Sequence, residues 1–365
     1  MILKNDYKHC LTNLACSIQK YFEVEAKHDS LKAIDDILEK QQPKNVVLIL
    51  FDGMGSRIIK RNLSYDSFFL KHQIDEITSV YPATTTAATT SVTTGLNPIE
   101  HGWLGWDTYL PNIDKTVTLF INKEKGKKEN CEEFIKFKPK FVAETIVSQI
   151  CKKGYIAHAI SHFGDVDYKD LDDMILKIKE NCSLEGKKFF YVYDTEPDSS
   201  MHKYGPDSEQ VISLIQERND KIEKMCSELK DTLVIVVADH GHIVANDIHL
   251  EEYPEFMMML ERTTSIETRA CSFKVKKEYK DVFVDKFNEL FGKWFILLDK
   301  KQVKDIGLFG DGKEHELFDE EIGDYLAVAI DKYNLLTEGN FPLYSVHAGY
   351  TDDEVYVPLI VKVCD

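Results

Sequence analysis

Paired cysteines are missing from this chain. The eight present (Cys10, Cys16, Cys131, Cys151, Cys182, Cys226, Cys271 and Cys364) are scattered and form no C-x-x-C motif. That excludes a thiolate zinc knuckle and argues against a disulfide framework, as expected of a reduced chain. Missing too is any apolar run of about 18 residues, the length a membrane span needs. The opening MILKNDYKHCLTNLACSIQK holds no unbroken apolar stretch, so no secretory leader is expected and the chain reads as cytoplasmic, without membrane contact. Positive charge is in deficit: 45 Lys and Arg against 62 Asp and Glu give a net −17. A field of that sign repels duplex nucleic acid and anionic lipid at long range. It still admits a small anionic substrate, provided the site is positive locally. Glycine-rich phosphate loops are absent, with neither G-x-x-x-x-G-K-[ST] nor G-x-G-x-x-G. There is also no repeat, low-complexity tract or Gly/Ser linker.

What the chain does have is 365 residues, 43% of them apolar, enough for a large core. Three apolar runs stand out: Val46–Phe51, Phe189–Tyr193 and Leu233–Ala238. None alternates, which suits strands covered on both faces of a parallel sheet. Helical periodicity falls between them, around 140–153, 168–181 and 207–229. The alternation predicts an α/β fold, a doubly wound, mostly parallel sheet with helices on both faces. Residues 8–40 read as two amphipathic helices. The expected organisation is a helical lead-in over 1–44, a metal-binding α/β core from 45–249 and 341–365, and a small α+β insert or cap over 250–340. Within the insert, a Met-rich helix is expected from Tyr253 to Glu261, a strand at Ala270–Val275 and a helix near 278–291. The last apolar run, Val355–Val361, rejoins the main sheet, and Pro358 within it favours an edge or a bulge.

Ligands of such sheets bind beyond the carboxyl ends of the strands. Acidic residues or a histidine stand at three of those ends. Asp52 follows the first run and Gly53 and Gly55 follow Asp52, so a carboxylate ligand is more plausible there than a nucleotide-cradling loop. Asp239-His240 follow the third run directly and could converge on one ion, with His242 reading substrate or merely packing. Asp198 and His202 are four apart, and on a helix they would face the same way. Residues 84–94 hold seven threonines in eleven positions. They read either as a close-packed helix with hydroxyls bonded to the preceding turn or as a helix whose first threonine is a nucleophile activated by metal. Free N–H groups at its start would favour a phosphate. Three aspartates and a threonine alkoxide would neutralise two divalent cations. Carboxylates with imidazoles and no thiolate suit Zn²⁺ or Mn²⁺.

In this order, VVLILFDGMG, YPATTTAATTSVTTGLNPIEHG, EPDSSMHKYGP, VIVVADHGH and YSVHAGYTDDEVYVPLIV resemble the alkaline phosphatase superfamily. The resemblance is nearest to its type I phosphodiesterase/nucleotide pyrophosphatase branch. It implies two divalent metal ions about 4 Å apart. Asp198, His202 and His347 would hold one ion; Asp52, Asp239, His240 and the nucleophile Thr85 would hold the other. Thr85 is reached by counting ten residues back from Gly95, with Thr84 and Thr86 as neighbours. The family's diesterases carry an asparagine three residues after the nucleophile, where this chain has Ala88. Trp103 and Trp106 could stack on a leaving group or fill a core edge.

The implied chemistry is hydrolysis of a phosphoric ester or pyrophosphate bond in a small phosphorylated or nucleotide-like substrate, through a phosphothreonine intermediate. A phosphomonoesterase or phosphonate hydrolase is the alternative, kept open by Ala88. A catalytically inactive, metal-stabilised binding protein is the alternative from another class. No C-x-P-x-R motif of a sulfatase occurs.

Overall fold

A computed structural model describes residues 6–365; the first five residues of the expected lead-in lie outside it. The main sheet has six strands. In spatial order they are Gln73–Thr78, Tyr356–Cys364, Thr232–Val237, Asn45–Phe51, Lys188–Asp194 and Ile156–Ile160. Asn45–Phe51 runs parallel to both its neighbours, and Ile156–Ile160 extends the parallel set. Every residue of Asn45–Phe51 and of Thr232–Val237 is buried, as non-alternating apolar runs between two helical layers require. Leu11–Tyr21, Thr85–Thr94 and Ile146–Lys152 pack together in one layer. Ser56–Asn62, Phe68–His72, Leu171–Cys182 and Glu209–Glu228 form the other. The architecture is the mixed α/β fold with a mostly parallel central sheet.

Tyr356–Cys364 is the antiparallel member. Pro358 pairs with Glu76 on one side only, and a register shift follows at Leu359/Ile360. The missing N–H is thus tolerated beside a bulge, although the strand lies inside the sheet.

A second, antiparallel sheet has seven strands: Phe295–Asp299, Tyr325–Ala329, Ala270–Phe273, Ser265–Ile266, Asp107–Leu110, Lys115–Thr118 and Lys123–Glu124. Residues 107–124 therefore build this sheet together with the later segment, through the pair Asp107↔Ile266. The strand Tyr333–Leu336 likewise pairs with Asn246–His249, outside the 250–340 stretch. The helix expected from Tyr253 to Glu261 is one turn, Pro254–Met257. The chain then extends, because Met259 and Glu261 exchange backbone hydrogen bonds with Lys276 and Lys274, and tertiary pairing overrides helical propensity. Phe256, Phe273, Phe283, Phe287 and Phe291 form the aromatic centre of this part.

The two sheets are tied by a buried ion pair. Arg269 Nε and Nη2 donate to the two oxygens of Glu354 at 2.6 and 2.8 Å, and neither side chain is exposed. Arg269 Nη1 also donates to the carbonyls of Asp331 and Tyr333. Glu354 accepts from the Gly349 amide at 2.7 Å.

Candidate metal centre and active site

Each strand of the central trio delivers its side chains at the carboxyl end. Asp52 follows Phe51, and its amide donates to Asp194 O at 3.0 Å. The Asp198 amide in turn donates to Asp52 O at 3.1 Å, which starts the helix Asp198–Tyr204 beside the first strand. Asp198 and His202 therefore do lie on one helical face, with Nε2–Oδ1 3.4 Å. Gly53 makes the turn at φ +72°, and a Cβ there would come within 2.7 Å of Met201 and 3.1 Å of Asp198. Only glycine combines that conformation with that closeness.

The first cluster is Asp52, Asp239 and His240, whose ligand atoms lie within 4.8 Å of one another. Asp239 Oδ1 accepts from the amides of Gly53 and His240 at 2.9 and 3.0 Å, while its buried Oδ2 has no partner among the described residues. His240 Nδ1 contacts the carbonyl of Gly241 at 3.1 Å. A carbonyl only accepts, so Nδ1 bears the proton and Nε2 keeps a lone pair. That Nε2 lies 3.3 Å from Asp52 Oδ1 and 3.5 Å from Asp239 Oδ2. Burial, then the neighbouring Asp198, pushes the Asp52 carboxyl well above its ordinary range; burial, then Asp52, does the same to Asp239. Tyr193 donates to Asp52 Oδ2.

The threonine helix, Thr85–Thr94, separates its hydroxyls by position. Those of Thr89, Thr90, Thr93 and Thr94 donate to carbonyls one turn back at 2.6–2.8 Å, the back-bonding reading. At the N-terminus there is no preceding turn to accept. Thr84 donates to Glu267 at 2.6 Å, and the buried Thr86 hydroxyl has no partner among the described residues. Thr85 alone of the three faces the cluster, with Oγ1 3.2 Å from His240 Nε2 and 3.4 Å from Asp52 Oδ1.

The second cluster surrounds Asp198. Its Oδ1 lies 2.6 Å from His242 Nε2, 3.4 Å from His202 Nε2 and 3.9 Å from His347 Nε2. The His347 loop is held by reciprocal hydrogen bonds between Ile243 and Val346 and by the Ala348 amide on Ala83 O. The His347 ring stacks on that of His240 at 3.8 Å, joining the two clusters, and its buried Nδ1 lacks a partner among the described residues. Burial, then the His240 ring, pushes the His347 imidazole well below its ordinary value. Burial acts to raise the Asp198 carboxyl, but His202, His242 and His347 outweigh it and hold it low. Two buried carboxylates, the half-buried Asp198, imidazoles with lone pairs turned inward and the unpartnered Asp239 Oδ2 fit divalent cations with nitrogen and oxygen ligands.

A cavity of about 580 Å³ opens over this centre, lined by Thr85, Asp198, His202 and His347. Its wall comes from the second sheet and includes Trp106, Glu267 and four lysines, Lys123, Lys125, Lys127 and Lys128. Asp107 and Glu124 line the same wall, and Lys125 pairs with Asp107 at 3.5 Å, so the lysine charge there is partly offset. Trp106 is 41% exposed and lines the cavity, whereas Trp103 is buried with Leu110, Leu119 and Phe134. Ala88 is fully buried. Glu267 accepts from Thr84 and from the Trp106 amide, and burial pushes its carboxyl up to about 7. Sequence reasoning did not single out Tyr193, Glu267 or Ser345. Tyr193 sits in an apolar strand and Glu267 in a stretch without a motif, so only three-dimensional proximity reveals them.

The model of the type I phosphodiesterase/nucleotide pyrophosphatase family matches residues 46–305. Human ectonucleotide pyrophosphatase/phosphodiesterase family member 1 is 30% identical over 183 residues, which covers 44% of this chain and 19% of that protein. The rat protein is 26% identical over 180 residues, with the same coverage. The chain thus matches about a fifth of the length of these curated relatives. Among solved structures, human ectonucleotide pyrophosphatase/phosphodiesterase 5 is similar with a TM-score of 0.66 at 17% identity, over 87% of each chain. The murine counterpart, an inactive threonine-to-alanine variant in complex with AMP, has a TM-score of 0.65 at 18% identity, over 86% of this chain and 87% of that one.

Proposed function

As the chain belongs to the type I phosphodiesterase/nucleotide pyrophosphatase family, we propose that it is a two-metal hydrolase of a small phosphodiester or nucleoside pyrophosphate, with Thr85 as nucleophile. The observation that carries this reading is the position of Thr85 Oγ1, between Asp52 and His240 at the start of a ten-residue helix. Asp52, Asp239, His240 and Thr85 would hold one cation, and Asp198, His202 and His347 the other. Zinc is the proposed ion, with manganese second, because the donors are carboxylates and imidazoles. Such ions supply positive charge that acidifies a nearby hydroxyl and stabilises phosphoryl oxygens.

Thr85 Oγ attacks phosphorus and the bond to the leaving oxygen breaks, giving a phosphothreonine that water hydrolyses. The amides at the start of the Thr85–Thr94 helix point their N–H groups at an incoming phosphoryl group, in a chain whose Ala88 offers no side-chain donor. Lys123, Lys127 and Lys128 on the cavity wall offer charge to an anionic substrate, and Trp106 offers a face to a planar leaving group. The AMP in the murine complex and the inactivity of that threonine variant support a nucleotide-like ligand and a threonine nucleophile. A cytoplasmic location is proposed on the eight free cysteines.

The test uses the zinc-loaded protein with bis-p-nitrophenyl phosphate, p-nitrophenyl phosphate and a nucleoside pyrophosphate. Preference for the diester or the pyrophosphate is expected. A strong monoester preference would turn the reading to a phosphomonoesterase. Thr85→Ala is expected to abolish turnover while binding about two ions per chain, and normal turnover in that variant would refute the nucleophile.

A further inference from the structure

Resting on the two-ion reading above, we infer that His242 is a fourth protein ligand of the cation held by Asp198, His202 and His347. Ser345, which is fully buried, fixes the tautomer of both His242 and His202. Its hydroxyl has one hydrogen, and that hydrogen goes to the Met201 carbonyl at 2.7 Å. The hydroxyl can therefore only accept from His242 Nδ1, 3.1 Å away, which puts the ring proton of a neutral His242 on Nδ1. The carbonyl of the same Ser345 faces His202 Nδ1 at 2.7 Å and fixes the same tautomer there.

Both imidazoles then turn an Nε2 lone pair toward Asp198 Oδ1, His242 at 2.6 Å and His202 at 3.4 Å. Two acceptors as close as Nε2 and Oδ1 need a positive charge to join them, either a proton on Nε2 or a cation bound by both atoms. His242 cannot swing away, because it is fully buried and a Cβ at Gly53 would already come within 3.0 Å of its Cδ2. Its ligand atom also lies within 4.8 Å of those of Asp198, His240 and His347. With His242 this cation would have four protein donors, the same number that Asp52, Asp239, His240 and Thr85 would supply to the other, and four nitrogen and oxygen donors suit zinc. The rival arrangement is an imidazolium His242 that donates from both nitrogens and only pairs with Asp198.

The experiment titrates stripped wild-type, His242→Gln and Ser345→Ala chains with Zn²⁺ alone against a chromogenic chelator, and solves the zinc-loaded wild-type crystal structure. The wild type is expected to bind two ions. His242→Gln should weaken one of them by at least about 100-fold and leave the other unchanged. Ser345→Ala should weaken the same ion by about 10–100-fold. In the crystal, His242 Nε2 should lie about 2.0–2.1 Å from zinc. Two ions bound with unchanged affinity by His242→Gln, or His242 Nε2 still on Asp198 beside a zinc held by the other ligands, would overturn the assignment while sparing the two-ion reading. A wild-type chain with no ion at Asp198 would overturn both. If circular dichroism finds His242→Gln unfolded, Ser345→Ala and the crystal decide.

Discussion

Glu321 is wholly buried, and neither of its carboxylate oxygens has a hydrogen-bond partner among the described residues. Burial pushes its carboxyl well above the ordinary range. The unfolded chain releases this proton near pH 4.3, whereas the folded chain keeps it. Stability is therefore unaffected below that pH and falls by about 1.4 kcal/mol per pH unit above it, until the folded carboxyl ionises. Glu321→Gln is expected to raise the melting temperature at pH 8 and to leave it nearly unchanged at pH 4, as calorimetry at the two pH values would register. At the metal centre, Asp239→Asn should lose one ion and turnover together, measured by metal content; an unchanged content would remove Asp239 from the ligand set. Asp52, Asp198, Asp239 and His240 could be picked out beforehand because each follows an apolar strand or sits at helical spacing. Thr85 could be reached only by counting within a motif. Which of three adjacent hydroxyls faces His240 depends on the turn that begins the helix, and no local pattern encodes that. His242 stands beside the Asp239-His240 pair in the sequence, but its role depends on the hydrogen of a serine 103 residues away.

The Arg269–Glu354 pair joins the turn between strands Ser265–Ile266 and Ala270–Phe273 of the second sheet to the short helix Asp352–Val355 that leads into the first. Removing one partner strands a buried charge, which costs about 3–5 kcal/mol. Arg269→Met is expected to lower the urea midpoint accordingly. Arg269→Met with Glu354→Leu should recover much of the loss, because two buried charges then disappear together. Glu354 also holds the Gly349 amide, so the single variant should weaken zinc binding through the neighbouring His347 loop. Strands and long helices announced themselves through unbroken apolar runs and 3.6-residue periodicity. The Tyr253–Glu261 segment misled because its apolar residues serve an extended pairing with Lys274 and Lys276, a long-range preference invisible to local periodicity.

The whole molecule stacks a second sheet beside the carboxyl ends of the first, and the cavity lies where they meet. Any ion bound only by the folded chain adds stability by mass action, about 2.7 kcal/mol at a hundred times its dissociation constant. Added zinc should raise the melting temperature, and a chelator should lower it. The parallel core could be recognised from composition alone, but the partnership of 107–124 with 265–329 could not, because short strands far apart carry no mutual signal. Excising 250–340 should accordingly yield insoluble protein, since Asp107–Leu110 would lose its neighbour; soluble, zinc-binding product would contradict that. The same lacing bears on synthesis. About 140 residues separate Glu124 from Ser265, on the order of 10–30 s of translation. For that interval the emerging ribbon has an open flank and no mate, which makes it the stretch of nascent chain most in need of a chaperone's cover.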